Sequence, residues 1–465
     1  MGSVQESMSA AVATAGVEQR RDEPAPRRFL EALADALRKR RVRYCVLHDW
    51  EGLPERLGSD LDMAVHPEDL AALGGAIQEL RNLGYRLVQC LPYAPDAHYL
   101  VFFRISDGRI EAARVDVITA HWRRGIRVDS GEAMVARTRL HEGFQVPAAA
   151  VEFRYLAAKR VLKGGAPGGK GKRVARLLQE LGAVEAEAAV ADLFGADAPR
   201  VVEAAAGKLD QRARALQPGL LWRNAWRHPL HLVSFWWRDG VRRLRRGLRP
   251  TGLMVAVVGP DGVGKSTFIG NVVRGVAPAF RRVYRYHWRP GLLGSIRAGA
   301  KTVDPHGAGA DPKWLSVLRL LWVGLDYQVA RLRLRWQRAR SGLVVFDRYY
   351  HDILVDPRRY RYGGPPWLAR ALARLAPKPD ALLILHAPPE AVRARKQEVG
   401  SEELRRQLKG YLDLAEAAGG CVIDASAKPE VVAMAGISRV IDELERRTNR
   451  RCPEWAGTRG GRDHG

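Results

Sequence analysis

The chain has 465 residues, about three times a ~150-residue domain, so two or three domains are expected and a single small module is excluded. Its 76 basic and 51 acidic residues leave a net charge of +25, and only 13 of the basic residues are Lys, the other 63 being Arg. That balance favours phosphate-bearing partners such as nucleotides, nucleic acid or an anionic membrane surface, although GC-rich coding also yields Arg- and Ala-rich chains, so location must decide. Cys45, Cys90, Cys421 and Cys452 form no CxxC pair. This argues against a disulfide framework and a structural zinc site, and fits a reducing cytoplasm. No run approaches the ~18 apolar residues of a membrane span, and no signal-peptide order opens the chain.

Residues 1–26, rich in Ala, Glu, Ser and Pro without periodicity, predict a disordered tail, as do 446–465. Between them, helical spacing over Arg28–Arg40 and Leu70–Leu83 brackets a strand at Tyr44–Leu47. Two strands, Tyr99–Ile105 and Ile110–Ile118, meet at Asp107-Gly108, a strong hairpin signal. The span 27–150 therefore predicts a small α/β domain. An Ala/Leu/Arg-rich helical appendage follows over 151–211, interrupted by a Gly-Lys turn at 164–172. A basic connector, 212–250, holds ten Arg against one acid, Asp239, together with Trp222, Trp226, Trp236 and Trp237. After Pro250, strands at Leu253–Val258, Arg282–His287, Leu343–Phe346, Ala381–His386 and Cys421–Ile423 alternate with helices from Lys265, over Trp314–Arg340 and past Glu390. Such alternation over 251–445 predicts an α/β fold whose parallel sheet has helices on both faces.

Gly259-Pro260-Asp261-Gly262-Val263-Gly264-Lys265-Ser266 matches G-x-x-x-x-G-K-[ST], between a predicted strand and a predicted helix. Glycines let such a loop turn its backbone N–H groups inward onto phosphates, at the positive end of the following helix. Lys265 would reach the β- and γ-phosphates of ATP and Ser266 would ligate Mg²⁺. A Gly-rich turn that binds nothing is the plainer alternative.

The loop, extended through Thr267, resembles that of the thymidylate kinase-like P-loop kinases across about Gly252–Leu444, as does Asp347-Arg348-Tyr349 at a strand end. The resemblance implies that Asp347 helps place Mg²⁺ or the acceptor, and that Arg348, with Tyr349 and Asp261, holds the acceptor. It also implies that Arg393, Arg395 and Lys396, after Pro388-Pro389-Glu390, belong to a mobile lid, with Arg395 catalytic and Arg405 and Arg406 in reserve. Asp424 and Ser426 resemble the segment beside the adenine. His287-Trp288-Arg289-Pro290-Gly291 lies where the family carries Arg-Glu-Pro-Gly, so His287 and Arg289 become acceptor-binding candidates. The missing glutamate argues for an acceptor other than thymidylate.

Ser59-Asp60-Leu61-Asp62 puts two carboxylates on one face of a predicted strand, and Asp116 lies in another. Three converging carboxylates suit two-metal chemistry, and about Arg27–Lys163 resembles the nucleotidyltransferase superfamily. The family's Gly-Ser pair is replaced by His48-Asp49, which argues against activity; a substrate-binding domain and a plain turn are the other options. Tyr155, Lys159 and Lys163, four residues apart on a helix, would line the same site.

For the connector, the Trp/Arg alternation over 220–249 suits peripheral contact with a membrane, single-stranded nucleic acid, or a packed joint, with His228-Pro229 breaking any helix. The expected activity is ATP- and Mg²⁺-dependent phosphotransfer to a small-molecule acceptor of nucleotide, sugar or glycolipid type. A nucleotide-switched adaptor binding membrane or nucleic acid, and nucleotidyl transfer by the N-terminal domain, are the alternatives. A homodimer is left open.

Overall fold

The computed structural model describes residues 27–57, 60–165, 170–294, 312–395 and 400–455. These fall into two compact units, 27–245 together with 445–455, and 246–444.

The N-terminal unit is built on a five-stranded mixed sheet in the order β1-β2-β5-β4-β3: Tyr44–Val46, Leu61–Val65, Arg109–Ile118, Ala97–Ser106 and Arg86–Ala94. β2 and β5 are parallel, and the other neighbours antiparallel. The β4–β5 hairpin turns at Asp107 and Gly108, both at positive φ (51° and 69°), which matches right-handed strand twist. Helices α1 (Arg27–Lys39) and α2 (Leu70–Asn82) cover one face, burying Phe29, Leu33, Leu37, Ile77 and Leu80 against Leu87, Phe102 and Val115. Small hairpins β6–β7 (Ala120–Arg123, Ile126–Ser130) and β8–β9 (Thr138–His141, Phe144–Pro147) flank α3 (Gly131–Ala136).

The stretch expected to be helical over 151–211 packs within the N-terminal unit. Helices α4 (Ala149–Lys163), α5 (Lys170–Phe194, broken at Gly182), α6 (Ala198–Ala205) and α7 (Leu209–Arg227) share one apolar cluster with sheet residues Cys45, Leu47 and Ala64. Helix α8 (Pro229–Leu248) begins at the predicted proline break. The tail expected from 446 also starts later than composition suggested. Helix α15 (Pro429–Arg451) continues through it, and Cys452 and Trp455 are buried in the N-terminal core, while Thr448 donates to the Val88 carbonyl at 2.7 Å. Residues 1–26 and 456–465 lie outside the described residues.

The C-terminal unit holds a fully parallel sheet of five strands: β10 (Leu253–Val258), β11 (Arg282–His287), β12 (Gly342–Asp347), β13 (Ala381–His386) and β14 (Cys421–Asp424). They are ordered β11-β12-β10-β13-β14. The three central strands β12, β10 and β13 are apolar on both faces, as a covered parallel sheet requires. Met254, Ala256, Val344 and Phe346 face α10 (Lys313–Ala339), α12 (Pro366–Leu375) and α14 (Ser401–Ala418). Val255, Val257, Leu343 and Val345 face α9 (Lys265–Val276) and Val440 of α15. Two short helices, α11 (Asp352–Val355) and α13 (Pro389–Arg395), follow β12 and β13.

Candidate phosphate-transfer site

In an open parallel sheet, ligands bind beyond the carboxyl ends of the strands. There the loop Gly259–Gly264 joins β10 to α9, with Gly259, Gly262 and Gly264 at φ of 149°, 82° and 99°. A Cβ on Gly259 would stand 2.7 Å from the Leu385 carbonyl oxygen, so the loop's approach to β13 also demands glycine. Lys265 Nζ donates to the carbonyls of Gly259 (2.9 Å) and Pro260 (2.7 Å) and lies 3.5 Å from Asp261. Ser266 and Thr267 are exposed in the first turn of α9, while Val263 is buried as the loop's anchor.

The Asp347-Arg348 pair meets this loop. Asp347 ends β12, in register with both Val257 and His287. Arg348 sits at φ 69°, a strained conformation that its N–H bond to the Val257 carbonyl (2.9 Å) helps hold. Arg348 is 4% exposed, and its guanidinium donates to Asp261, whose other carboxylate oxygen accepts from Arg359. Burial opposes the Asp347 anion, but the nearby His287 imidazole and the charges of Lys265 and Arg348 hold its carboxyl below the usual range. Asp347 Oδ1 is buried with no hydrogen-bond partner among the described residues, so this carboxylate retains capacity for a cation.

Other candidates fall differently. His287 is exposed, 3.8 Å from Asp347. Arg289 donates to the Gly294 carbonyl at 2.6 Å and lies 3.6 Å from the fully buried Asp326, which accepts from the backbone N–H groups of Gly291 and Leu293 at 2.7 and 2.9 Å. Asp326 thus shapes the segment that carries Arg289. Tyr349, expected at the acceptor, is instead a core residue: it is fully buried among Tyr327 and Phe346, and its hydroxyl donates to the Pro377 carbonyl. The left-handed backbone at Arg348 (φ 69°) breaks the strand's alternation, so Arg348 turns to the loop while Tyr349 joins Phe346 on the core side.

Of the expected lid cations, Arg395 reaches the loop, donating to the carbonyls of Val263 (3.4 Å) and Ala425 (3.1 Å). Arg393 instead bonds Ser401 at 2.5 Å, and Arg406 pairs with Glu403. Lys396 lies outside the described residues. Asp424 accepts from Ser426 N–H (2.9 Å) and Oγ (2.6 Å), closing the turn after β14.

A stretch of 202 residues is 27% identical to the thymidylate kinase of Xanthomonas oryzae pv. oryzae strain PXO99A, covering 40% of this chain and 81% of that one. The thymidylate kinases of strains MAFF 311018 and KACC10331 / KXO85 are similar to the same extent. No family model matches the chain. The chain therefore contains a region similar in sequence to a P-loop nucleotide kinase.

Several residues escaped the sequence patterns. Arg359 reads as one Arg among many until the fold brings it to Asp261. Trp288 and Tyr360 stack at 4.5 Å, and the Trp288 N–H and Tyr360 hydroxyl are buried with no partner among the described residues. Asp352, fully buried, accepts from Tyr349 N–H (3.0 Å) and Tyr411 hydroxyl (2.7 Å) beneath Arg348.

In the N-terminal unit, Asp62 and Asp116 are register partners on parallel strands, and with Asp60 they present oxygens within 4.8 Å of one another. Burial, then the charge of Asp62, pushes the Asp116 carboxyl up to about 8. Protein groups already meet this crowding. Tyr93 hydroxyl lies 2.8 Å from both Asp116 oxygens, Lys159 Nζ is 3.4 Å from Asp62 and 3.0 Å from His48, and His48 contacts Asp62. Tyr155 hydroxyl accepts from Lys159 at 2.8 Å, whereas Lys163 is exposed at the end of α4. The donor set fits a divalent cation in type, but an ammonium stands where one would compete.

Proposed function

We propose that this chain is an ATP- and Mg²⁺-dependent phosphotransferase that moves the γ-phosphoryl group to a phosphate-bearing acceptor of nucleotide, sugar or glycolipid type. The observation that carries the proposal is the ion pair of Arg348 with Asp261, which ties the acceptor-side Asp-Arg pair to a glycine loop opening onto a helix N-terminus. Backbone N–H groups of 262–267 would hold the β- and γ-phosphates, and Lys265 would leave its two carbonyl partners for their oxygens. The acceptor oxygen forms its bond to the γ-phosphorus as the bond to the bridging oxygen breaks and ADP departs. Charge spread over the equatorial oxygens in that step is met by Lys265, Arg348 and Arg395. When bound, Mg²⁺ neutralises the β- and γ-oxygens; Ser266 and the unspent oxygen of Asp347 would hold it. Arg289 and the Trp288–Tyr360 pair, with two uncommitted polar groups, form the acceptor side.

The test is ADP release by purified protein against nucleoside monophosphates and phosphorylated sugars. Acceptor-dependent ADP that vanishes in Lys265→Ala supports the proposal. ATP binding without any acceptor-dependent turnover points to the nucleotide-switched adaptor instead.

A second reading concerns the N-terminal unit, where the close set Asp60, Asp62 and Asp116 favours metal-dependent nucleotidyl transfer. Labelled nucleoside monophosphate appearing on an acceptor, lost in Asp60→Asn, would support it; none in any metal would end it.

A further inference from the structure

Helix α8 buries an acid and leaves a row of large apolar side chains exposed. Inside the N-terminal unit it buries Phe235, 5.5 Å from the Trp122 ring, and Asp239. Arg242 donates to Asp239 at 2.9 Å and to the Pro92 carbonyl at 3.0 Å, and Arg238 pairs with Asp96. The opposite arc carries Leu230, Val233, Trp237 and Leu244, which are 80%, 67%, 73% and 63% exposed. Their spacing of three, four and seven residues puts them on one side of a 3.6-residue helix. Gly240 shares that side, and a Cβ there would meet nothing within 4 Å. Just before the proline break, Trp222 and Trp226 are 69% and 70% exposed and pack edge to face at 5.7 Å.

A folding core ordinarily recruits such an apolar stripe, and a contiguous exposed patch of this kind marks a contact surface. We propose that the α8 arc, with Trp222 and Trp226, seats this protein on an anionic lipid surface, the helix lying in the plane of the interface. The charge pattern selects that occupant. The span Arg212–Arg249 holds ten Arg and one acid, and that acid, Asp239, is buried beneath Arg242 and Arg243. An outward face of Trp, Leu and Val rimmed by Arg matches lipid phosphates above an apolar layer, with indoles at headgroup depth. A second copy would set the same positive span against itself, which disfavours self-association through this face. Peripheral seating is the geometry required, because no helix among the described residues is long and apolar enough to cross a membrane. The inference is independent of the phosphotransferase proposal.

The experiment is flotation of the full chain with vesicles of phosphatidylcholine alone or mixed with phosphatidylglycerol, over a salt series, alongside tryptophan quenching by brominated acyl chains. Expected are flotation on the anionic vesicles, a fraction that survives high salt, and quenching. Replacing Trp222, Trp226 and Trp237 together by Ser should lower partitioning at least tenfold, with far-UV circular dichroism and ATP binding unchanged since all three are exposed. Equal flotation on neutral vesicles, binding fully abolished by salt without quenching, or a concentration-dependent dimer lost in the Ser variant with no vesicle binding would each overturn the proposal. So would an oligonucleotide complex formed in place of vesicle binding.

Discussion

Asp261, inside the phosphate loop, accepts a hydrogen bond from Arg348, the residue that follows the strand carrying Asp347. The pair joins two chain segments 87 residues apart, and Arg359 reaches the second oxygen of the same carboxylate. Removing Asp261 would break the direct ion pair of the buried Arg348, leaving it only the nearby charges of Asp352 and Asp347. Asp261→Ala should therefore destabilise the C-terminal unit by about 1–3 kcal/mol, less than the full cost of orphaning a buried charge. The more exposed Arg359→Ala should cost about 1 kcal/mol. Hydrogen exchange of 246–444 measures this better than one global melting curve, because a chain of two units need not unfold in one step.

Lys265→Ala is expected to lower acceptor-dependent turnover by about 10²–10³-fold, as losing a preorganised transition-state cation does elsewhere. Stability should change less than activity, because the ammonium's hydrogen bonds go to carbonyls of its own loop. Steady-state ADP assays with ATP and acceptor varied independently would separate this from a mere rise in the KM for ATP.

Tyr349→Phe discriminates a core role from an acceptor role. Loss of its bond to the half-buried Pro377 carbonyl should cost about 1 kcal/mol, the usual net value of one hydrogen bond. The KM for the acceptor should stay at its wild-type value. A large rise in that KM with unchanged stability would restore the side chain to the acceptor site.

Lys159→Met in the N-terminal unit removes the ammonium that shares Asp62 with His48. Asp62 then loses the ammonium beside it within a crowded acidic cluster, so the variant should be less stable by about 1–3 kcal/mol at neutral pH. Added Mg²⁺ should recover part of that loss in the variant and shift the wild type less. Thermal unfolding with and without Mg²⁺ gives both comparisons, and identical metal responses would contradict this account.

His121 is fully buried, and burial together with the charges of Lys159 and Arg123 depresses its pKa to about 3. The unfolded chain takes up this proton near pH ~6.5 while the folded one does not. The contribution is therefore fully present above about pH 6.5 and is lost as pH falls toward 3, at up to about 1.4 kcal/mol per pH unit. Urea midpoints across that window should fall less steeply in His121→Phe than in the wild type.

The sequence by itself determined the phosphate loop, the alternating strands and helices after Pro250, the hairpin at Asp107-Gly108, and the pairing of Asp60 with Asp62. Each depends on residues near in the chain: glycine at positive φ, periodicity of apolar positions, and alternation along a strand. What only the tertiary structure decided rests on residues distant in sequence. It turned Tyr349 into the core, brought Arg359 to Asp261, supplied Tyr93 and Lys159 to the carboxylates, and carried α15 past residue 446 into the N-terminal core. It also decided which side of α8 meets the core. Periodicity shows that a helix has an apolar side, but which side meets the core depends on the partners that packing provides. Here Phe235 and Asp239 found theirs in the N-terminal unit, and the tryptophans stayed in solvent.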